Sequence, residues 1–453
     1  MSRIKNMTDG NIYKNYLTYA FPLILSSVLA SLYSTVDAVI AGKFISENAL
    51  GAISATASFD ILLNAFFNGF SSGFSVYIAQ LFGRGDHAGV KRNVVNMTVF
   101  VAMISAGLVA AVLLLRGGIL DYLNIDPQLR EDAERYFTIY SVSYLFSYAN
   151  MILLRSLYAL GMTSFSVWTS LLSAGVNIAG NLIAVLVFDW GVAGLAWSSV
   201  VSVLPVTGVY LYMTIKAFRE LKGERSAYRL SLKVLSESLS YTLPTALQKM
   251  AFHATGMLIA PALNGLGAAA TTGYSVMNRM YHFCAQSFWN MCSAVDCHTA
   301  QAMGEGAPQK ARRGLAAGLW MNIAALTPFL AAFMLLAEPI AQIFFPGGFQ
   351  GAALEYAVRF FELYAVFLYV NMLGHLMHSY MRSIGQVTTV LCITLFGSGV
   401  QVVSSLLLVP HLQMDGIYLG LVLSWVADGA LSVLLYFALY HGEKKLKKLW
   451  KIP

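Results

Sequence analysis

Residues 93–115 read NVVNMTVFVAMISAGLVAAVLLL, without one charged side chain. Wound into a helix at about 1.5 Å per residue, such a run is long enough to cross a hydrocarbon core of ~30 Å. In hydrocarbon the backbone N–H and C=O groups must be satisfied inside the segment, which a helix does and an open strand does not. Runs of this kind recur along the whole chain. Of its 453 residues 57% are hydrophobic and only 11% charged, where a soluble domain carries about a quarter. The sequence therefore predicts an all-α polytopic membrane protein with twelve transmembrane helices. These fall near residues 15–42, 50–81, 93–115, 133–160, 163–188, 192–218, 235–263, 267–302, 311–337, 355–381, 387–409 and 414–441. Several are longer than a span requires, which tilted helices accommodate. The four cysteines (Cys284, Cys292, Cys297, Cys392) fall inside these spans and read as small core residues, not a disulfide framework. The polar start MSRIKNMTDGNIYK lacks an apolar core and a small-residue cleavage site, so no cleaved signal peptide is expected.

Basic residues fix an expected orientation. With the N-terminus cytoplasmic, the inner connections hold Arg3, Lys5, Lys14, Arg84, Lys91, Arg92, the cluster KAFRELKGERSAYRLSLK, Lys310, Arg312, Arg313 and the tail EKKLKKLWK. The outer connections hold only Lys43, Arg116, Arg130, Arg135 and Arg359. Both termini are thus expected inside, at the cell membrane, with the tail held against anionic lipid. The net charge of +7 is spread over short connections and is no nucleic-acid footprint.

The chain also repeats itself. RYFTIY at Arg135 answers RFFELY at Arg359, and the same interval relates Gly161 to Gly385 and Gly175 to Gly399. AQLFGRGDHAGVKR (79–92) answers AQAMGEGAPQKARR (300–313), and Pro22 answers Pro244. The expected organisation is a six-helix lobe over 1–215, a basic linker over 216–234, a second lobe over 235–441 and a tail over 442–453. Two parallel copies place a pseudo-two-fold along the membrane normal with a cavity between the lobes, an arrangement of transporters more than of enzymes or receptors. No nucleotide-binding loop or catalytic triad is present, because the Gly-x-Gly turns lack both a strand and a P-loop lysine. No enzyme activity and no cofactor are expected.

One residue breaks the pattern of the first span. In SLYSTVDAVIAGKF, Asp37 sits well within the apolar run, where an Asp costs about 2.5–3.5 kcal/mol on insertion scales and persists for a reason. Together with the prolines, the VDAVIAGKF…ALGA segment, the twice-used Gln-x-x-Gly-x-Gly…Arg loop and the Asn-x-x-x-Asn of GVNIAGNLIAVLVF, it resembles the multidrug and toxic compound extrusion (MATE) transporters over essentially the whole chain. The loop after the second span also invites comparison with major-facilitator transporters, but there Asp-Arg is wanted where this chain has Asp86-His87.

The resemblance implies a two-lobed, twelve-helix antiporter for small organic molecules, acting as a monomer. It makes Asp37 the cation-coupling carboxylate, with Asn177 and Asn181 on one face of the fifth span and Ser199 of the sixth as its partners. Such a site can hold a proton or a small hard cation. Some archaeal relatives carry a second Asp where this chain has Asn181, so a single proton is the economical coupling ion and Na+ the alternative. A lipid-linked oligosaccharide flippase of the same superfamily is a further alternative. The second lobe lacks the acids of sodium-coupled relatives in spans seven and ten. It carries basic and titratable groups instead: Lys249 with His253, Arg279 with His282, then Asp296, His298, His375 and His378. Lys249 and Arg279 are expected to line the cavity, since buried cations must pair or face water. Lone helical histidines more often pack than act, and no metal site is expected. Asp60 is read either as an outer-gate partner of Arg279 or as bonded to Asn64 one turn on.

Overall fold

The computed structural model describes residues 3–44, 47–123, 125–221, 230–344 and 351–441, without the side chains of 32–44, 47–50, 52, 54, 55, 57, 58 and 439–441. Asp37's side chain, part of the expected linker and the basic tail therefore lie outside the described residues. The described chain is all helix: α1 (Ile12–Phe44), α2 (Glu47–Gly83), α3 (His87–Tyr122), α4 (Arg130–Ser141), α5 (Tyr144–Ala159), α6 (Ser166–Leu186) and α7 (Gly191–Glu220). There follow α8 (Leu232–Gly265), α9 (Ala268–Gly304), α10 (Pro308–Leu335), α11 (Ala337–Gln342), α12 (Ala352–Leu363), α13 (Leu368–Ser383), α14 (Val387–Leu412) and α15 (Met414–His441).

Seven of these helices are long and apolar enough to cross a membrane, and the bent pairs α4–α5 and α12–α13 make nine. The long helices α1, α8 and α9 complete the expected twelve. Only α11 has no counterpart among the expected spans. Spans four and ten, read from sequence as continuous, are each broken, by 44° and 55°. Neither break holds a proline. At the first, the ladder tightens to three-residue bonds, Val142 N–H to Ile139 O (3.1 Å) and Ser143 N–H to Tyr140 O (2.9 Å). At the second, residues Ala365–Phe367 form a single 3-10 turn. Short 3-10 stretches of this kind redirect a helix axis.

The duplication is written into the backbone. Among the described residues, the two non-glycine positions with positive φ, Asp189 and Gln413 (both 50°), are related by the interval that joins Gly161 (74°) to Gly385 (92°). Gly85 (73°) and Gly306 (70°) turn the chain after α2 and α9, a conformation that glycine adopts without strain. The next helix then starts by two different devices. Asp86 caps α3, its Oδ1 accepting from Gly89 N–H at 2.7 Å, whereas Pro308 occupies the first turn of α10, where a missing N–H costs nothing.

The chain divides into two compact units. The first comprises Met1–Asp9, Thr18–Ala246 and Gly304–Gly306, and the second Gly10–Leu17, Leu247–Met303 and Ala307–Pro453. In the first, the start of α8 is tied to α2 and α3: Ser238 donates to Asn93 (2.6 Å) and Tyr241 to Gln80 (3.1 Å). Asn6 and Thr8 both donate to Glu305 Oε1 (2.9 and 2.5 Å). In the second, Tyr16 donates to Gly314 O (3.0 Å), and Arg359 grips Asp415 with two bonds (2.8 and 2.6 Å), fixing α12 against α15. Cys284, Cys292 and Cys297 are buried as expected, but Cys392 is exposed on α14. A small, weakly polar thiol is tolerated on a face that meets hydrocarbon as well as in a core.

Candidate functional site

Three of the expected coupling residues meet in the first unit. Asn177 and Asn181, four apart on α6, lie on one face, and Asn181 Nδ2 donates to Asn177 Oδ1 at 2.8 Å. Asn177 Nδ2 donates in turn to Ser199 Oγ on α7 at 3.3 Å, and Ser199 Oγ donates to Leu195 O at 3.1 Å. Both asparagines are essentially inaccessible to solvent (1% and 0%). Buried amides need such partners, because an unmade bond costs about 1–3 kcal/mol. Helix α1 runs beside α6: Ser26 Oγ meets Ser170 Oγ at 2.5 Å, and Ser166 Oγ donates to Pro22 O at 3.5 Å.

Asp60 stands elsewhere in the same unit, near the start of the apolar part of α2. Asn64 Nδ2 donates to its backbone carbonyl at 3.0 Å, and Asn64 also acts on its carboxyl, as expected from the one-turn spacing. The other side chains beside its carboxyl come from α5, Tyr144 and Tyr148. They continue a ladder of tyrosines four residues apart that runs through the helix break. Tyr136 stacks on Tyr140 (5.3 Å), Tyr140 meets Tyr144 edge-on (5.7 Å), and Tyr144 stacks on Tyr148 (5.4 Å), which lies flat on Phe67 (3.8 Å). The sequence reading missed this ladder; its signal is four tyrosines on one helical face.

In the second unit the polar groups sort themselves into packed and paired. His282 packs between Tyr281 and Trp289, and His375 sits among Phe252, Phe288, Trp289 and His378. Lys249 is half-buried, while His253 and Arg279 are exposed. His378 is buried, with Nε2 3.0 Å from Asp428 Oδ1 on α15 and Nδ1 3.4 Å from Gln248 Nε2, which also donates to Thr394 Oγ1 at 3.1 Å. Gly374 lets Asp428 approach, since a Cβ there would lie 2.9 Å from Asp428 Oδ1. Arg382 donates to both oxygens of Asp296 (3.0 and 2.8 Å), and Ser383 Oγ adds a bond of 3.3 Å. Asp428 and Arg382 were not singled out from the sequence, although an acid inside the apolar run SWVADGALS is the same kind of signal as Asp37.

These positions can be set against known proteins. A family model described as MatE matches residues 22–183 and again residues 244–407. The chain belongs to the MATE family. The two matches begin at Pro22 and Pro244, the prolines that pair the copies. Among its relatives, a probable multidrug resistance protein of Bacillus subtilis, YoeA, is 22% identical over 455 residues, covering 98% of this chain and 96% of the relative. The fold superposes on an outward-facing multidrug resistance MATE transporter of the MOP superfamily with a TM-score of 0.89 at 17% identity, covering 98% of this chain and 99% of that one. It also superposes, with a TM-score of 0.87 and 17% identity over 95% and 96% of the chains, on a MOP superfamily transporter of Pyrococcus furiosus. The binding pocket of that protein is described as reversed in polarity, suggesting a different function.

Proposed function

We propose that the protein is a secondary active transporter of the cell membrane that exports small organic molecules in exchange for protons by alternating access. In this reading both termini are cytoplasmic, the two compact units move as two bodies, and a monomer without cofactor suffices. The observation that carries it is the register of α1 along α6. Pro22 meets Ser166 and Ser26 meets Ser170, so the two helices run side by side in the same direction. Asp37 and Asn181 each lie eleven positions beyond Ser26 and Ser170. Continued at an equal rise per residue, that register supports Asp37 as the partner of the buried asparagine pair and Ser199.

A carboxylate there is costly while it is charged and closed off from water, and protonation removes that cost. The protonated site therefore favours closure, and the ionised site favours a state open to water or substrate, which is the bias an exchanger needs. The names of the relatives support drugs and other toxic organic molecules as the class of cargo. The experiment is uptake of an organic cation into liposomes under an imposed pH gradient. Transport should follow the gradient and vanish in Asp37→Asn at equal insertion. Wild-type transport by that variant, or drive by a sodium gradient alone, refutes the reading.

A second reading concerns substrate charge. Lys249 and Arg279 place cations where drug exporters often carry acids, and a fold neighbour has a pocket of reversed polarity. We infer that anionic or zwitterionic compounds are accepted too, with lipid-linked oligosaccharides as the extreme case. Binding of matched cationic and anionic ligands tests it. Exclusive preference for cations, unchanged in Lys249→Ala, refutes it.

A further inference from the structure

Among the buried polar atoms of the first unit that make no hydrogen bond within the described residues are Asp60 Oδ1, Tyr144 Oη and Tyr148 Oη. They belong to neighbouring side chains, and the tyrosines are 2% and 1% exposed. Buried polar atoms are normally paired, so three orphans together mark a place where a bond is made in another state. The groups acting on the Asp60 carboxyl are Tyr144 and Asn64, with Tyr148 alongside, and no Lys, Arg or His is among them. Asp60 also lies inside a membrane-spanning segment, where an ionised carboxylate without a cation is expensive. The trio is not part of the duplicated scaffold: by the interval that relates Arg135 to Arg359, the second copy has Leu368 and Met372 where the first has Tyr144 and Tyr148.

We propose that Asp60 is a second proton-binding site, distinct from Asp37, and that its charge sets the bend between α4 and α5. The step is simple. The carboxylic acid gives its proton to water, and the carboxylate left behind accepts an O–H bond from Tyr144 and another from Tyr148. When the proton returns, both bonds are released. Bonds of the charged form are shorter, about 2.5–2.7 Å for O–H···O⁻, so ionisation draws the phenols inward from their present positions outside hydrogen-bond geometry. Tyr144 is the first residue of α5, directly after the break where Val142 and Ser143 have abandoned the four-residue ladder. A pull on Tyr144 is therefore applied at the compliant point of the span. Asn64, bonded to the backbone carbonyl of Asp60, acts on the same carboxyl and carries no charge of its own.

The inference deepens the proton-exchange reading, but its readouts do not require transport. Infrared difference spectra of the full chain in nanodiscs, recorded while pH is stepped, should show a protonated-carboxyl band that is lost in Asp60→Asn and kept in Asp37→Asn. Tyr144→Phe, which removes only the hydroxyl, should shift the pH at which that band disappears. Spin labels at Glu131→Cys and Met151→Cys, in a Cys392→Ser background, should report a distance that changes over the same pH range. In Asp60→Asn that distance should stay at its acid value. A band that survives in Asp60→Asn, a Tyr144→Phe midpoint equal to wild type, or a distance whose pH response is untouched by Asp60→Asn overturns the proposal. So does recovery of transport in the charge swap Asp60→Arg with Arg279→Asp, which would make Asp60 an ion-pair partner. If the band behaves as stated but no pH gradient drives transport, the exchange reading falls and the site stands.

Discussion

The pair Arg382–Asp296 allows a stability prediction to be worked through. Their side chains are 9% and 18% exposed, and Arg382 Nη2 contacts both carboxylate oxygens. Removing one partner of a buried pair leaves an uncompensated charge, at a cost of about 3–5 kcal/mol. The two single variants are not equivalent. Arg382→Met leaves Asp296 with the Ser383 hydroxyl at 3.3 Å and so belongs near the lower end, about 3 kcal/mol. Asp296→Ala leaves Arg382 with only Ser379 Oγ, at 3.3 Å, for the same Nη2, and belongs near the upper end, about 5 kcal/mol. For a body of some 200 residues each kcal/mol moves Tm by about 2–4 °C, so Arg382→Met should lose about 6–12 °C and Asp296→Ala about 10–20 °C. Replacing both groups by Met and Leu of suitable volume removes the stranded charge as well as the pair, and such swaps are often neutral. Unfolding of the four proteins in one detergent completes a double-mutant cycle. Additive losses, with the double variant worse than either single, would refute the assignment of a structural ion pair.

Other perturbations follow from single contacts. Asp86→Ala removes the cap of α3 and should cost about 1 kcal/mol, measurable as a lower Tm, whereas Asp86→Asn should cost little. Gly374→Ala places a methyl against Asp428 Oδ1 and should break its contact with His378, costing about 1–3 kcal/mol; His378 NMR signals that are unchanged in that variant would count against it. Asn177→Ala and Asn181→Ala should each weaken proton-driven transport less than Asp37→Asn, because each removes an amide and not the charge; uptake rates at matched expression decide the order.

How much of this could be read in advance differs by element. The twelve spans were legible because apolar length is a one-dimensional signal, and the duplication because glycines and arginines recur at one interval. The breaks after Ser141 and Leu363 were not, because they arise from shifted hydrogen bonds without proline. The pair Asn177–Asn181 follows from helical spacing alone, and Ser199 was placed beside it by resemblance. The tyrosine partners of Asp60 could not be foreseen: Tyr144 and Tyr148 reach it from another helix, beyond a bend that sets the direction of α5. Asp428 was available to the same argument as Asp37, but only three-dimensional packing attaches it to His378 and Gln248.

The discontinuous course of the chain through its two units has a consequence for biosynthesis. Glu305, which receives Asn6 and Thr8, is made long after them, and the α8 residues that bond Asn93 and Gln80 follow the sixth span. The first unit thus cannot close when its six spans have left the ribosome; its N-terminal arm waits for the eighth. A chain cut in the basic segment after α7 would release two fragments, each missing bonding partners held by the other. Such fragments, made together in one cell, should find each other, and made apart they should be cleared by proteolysis.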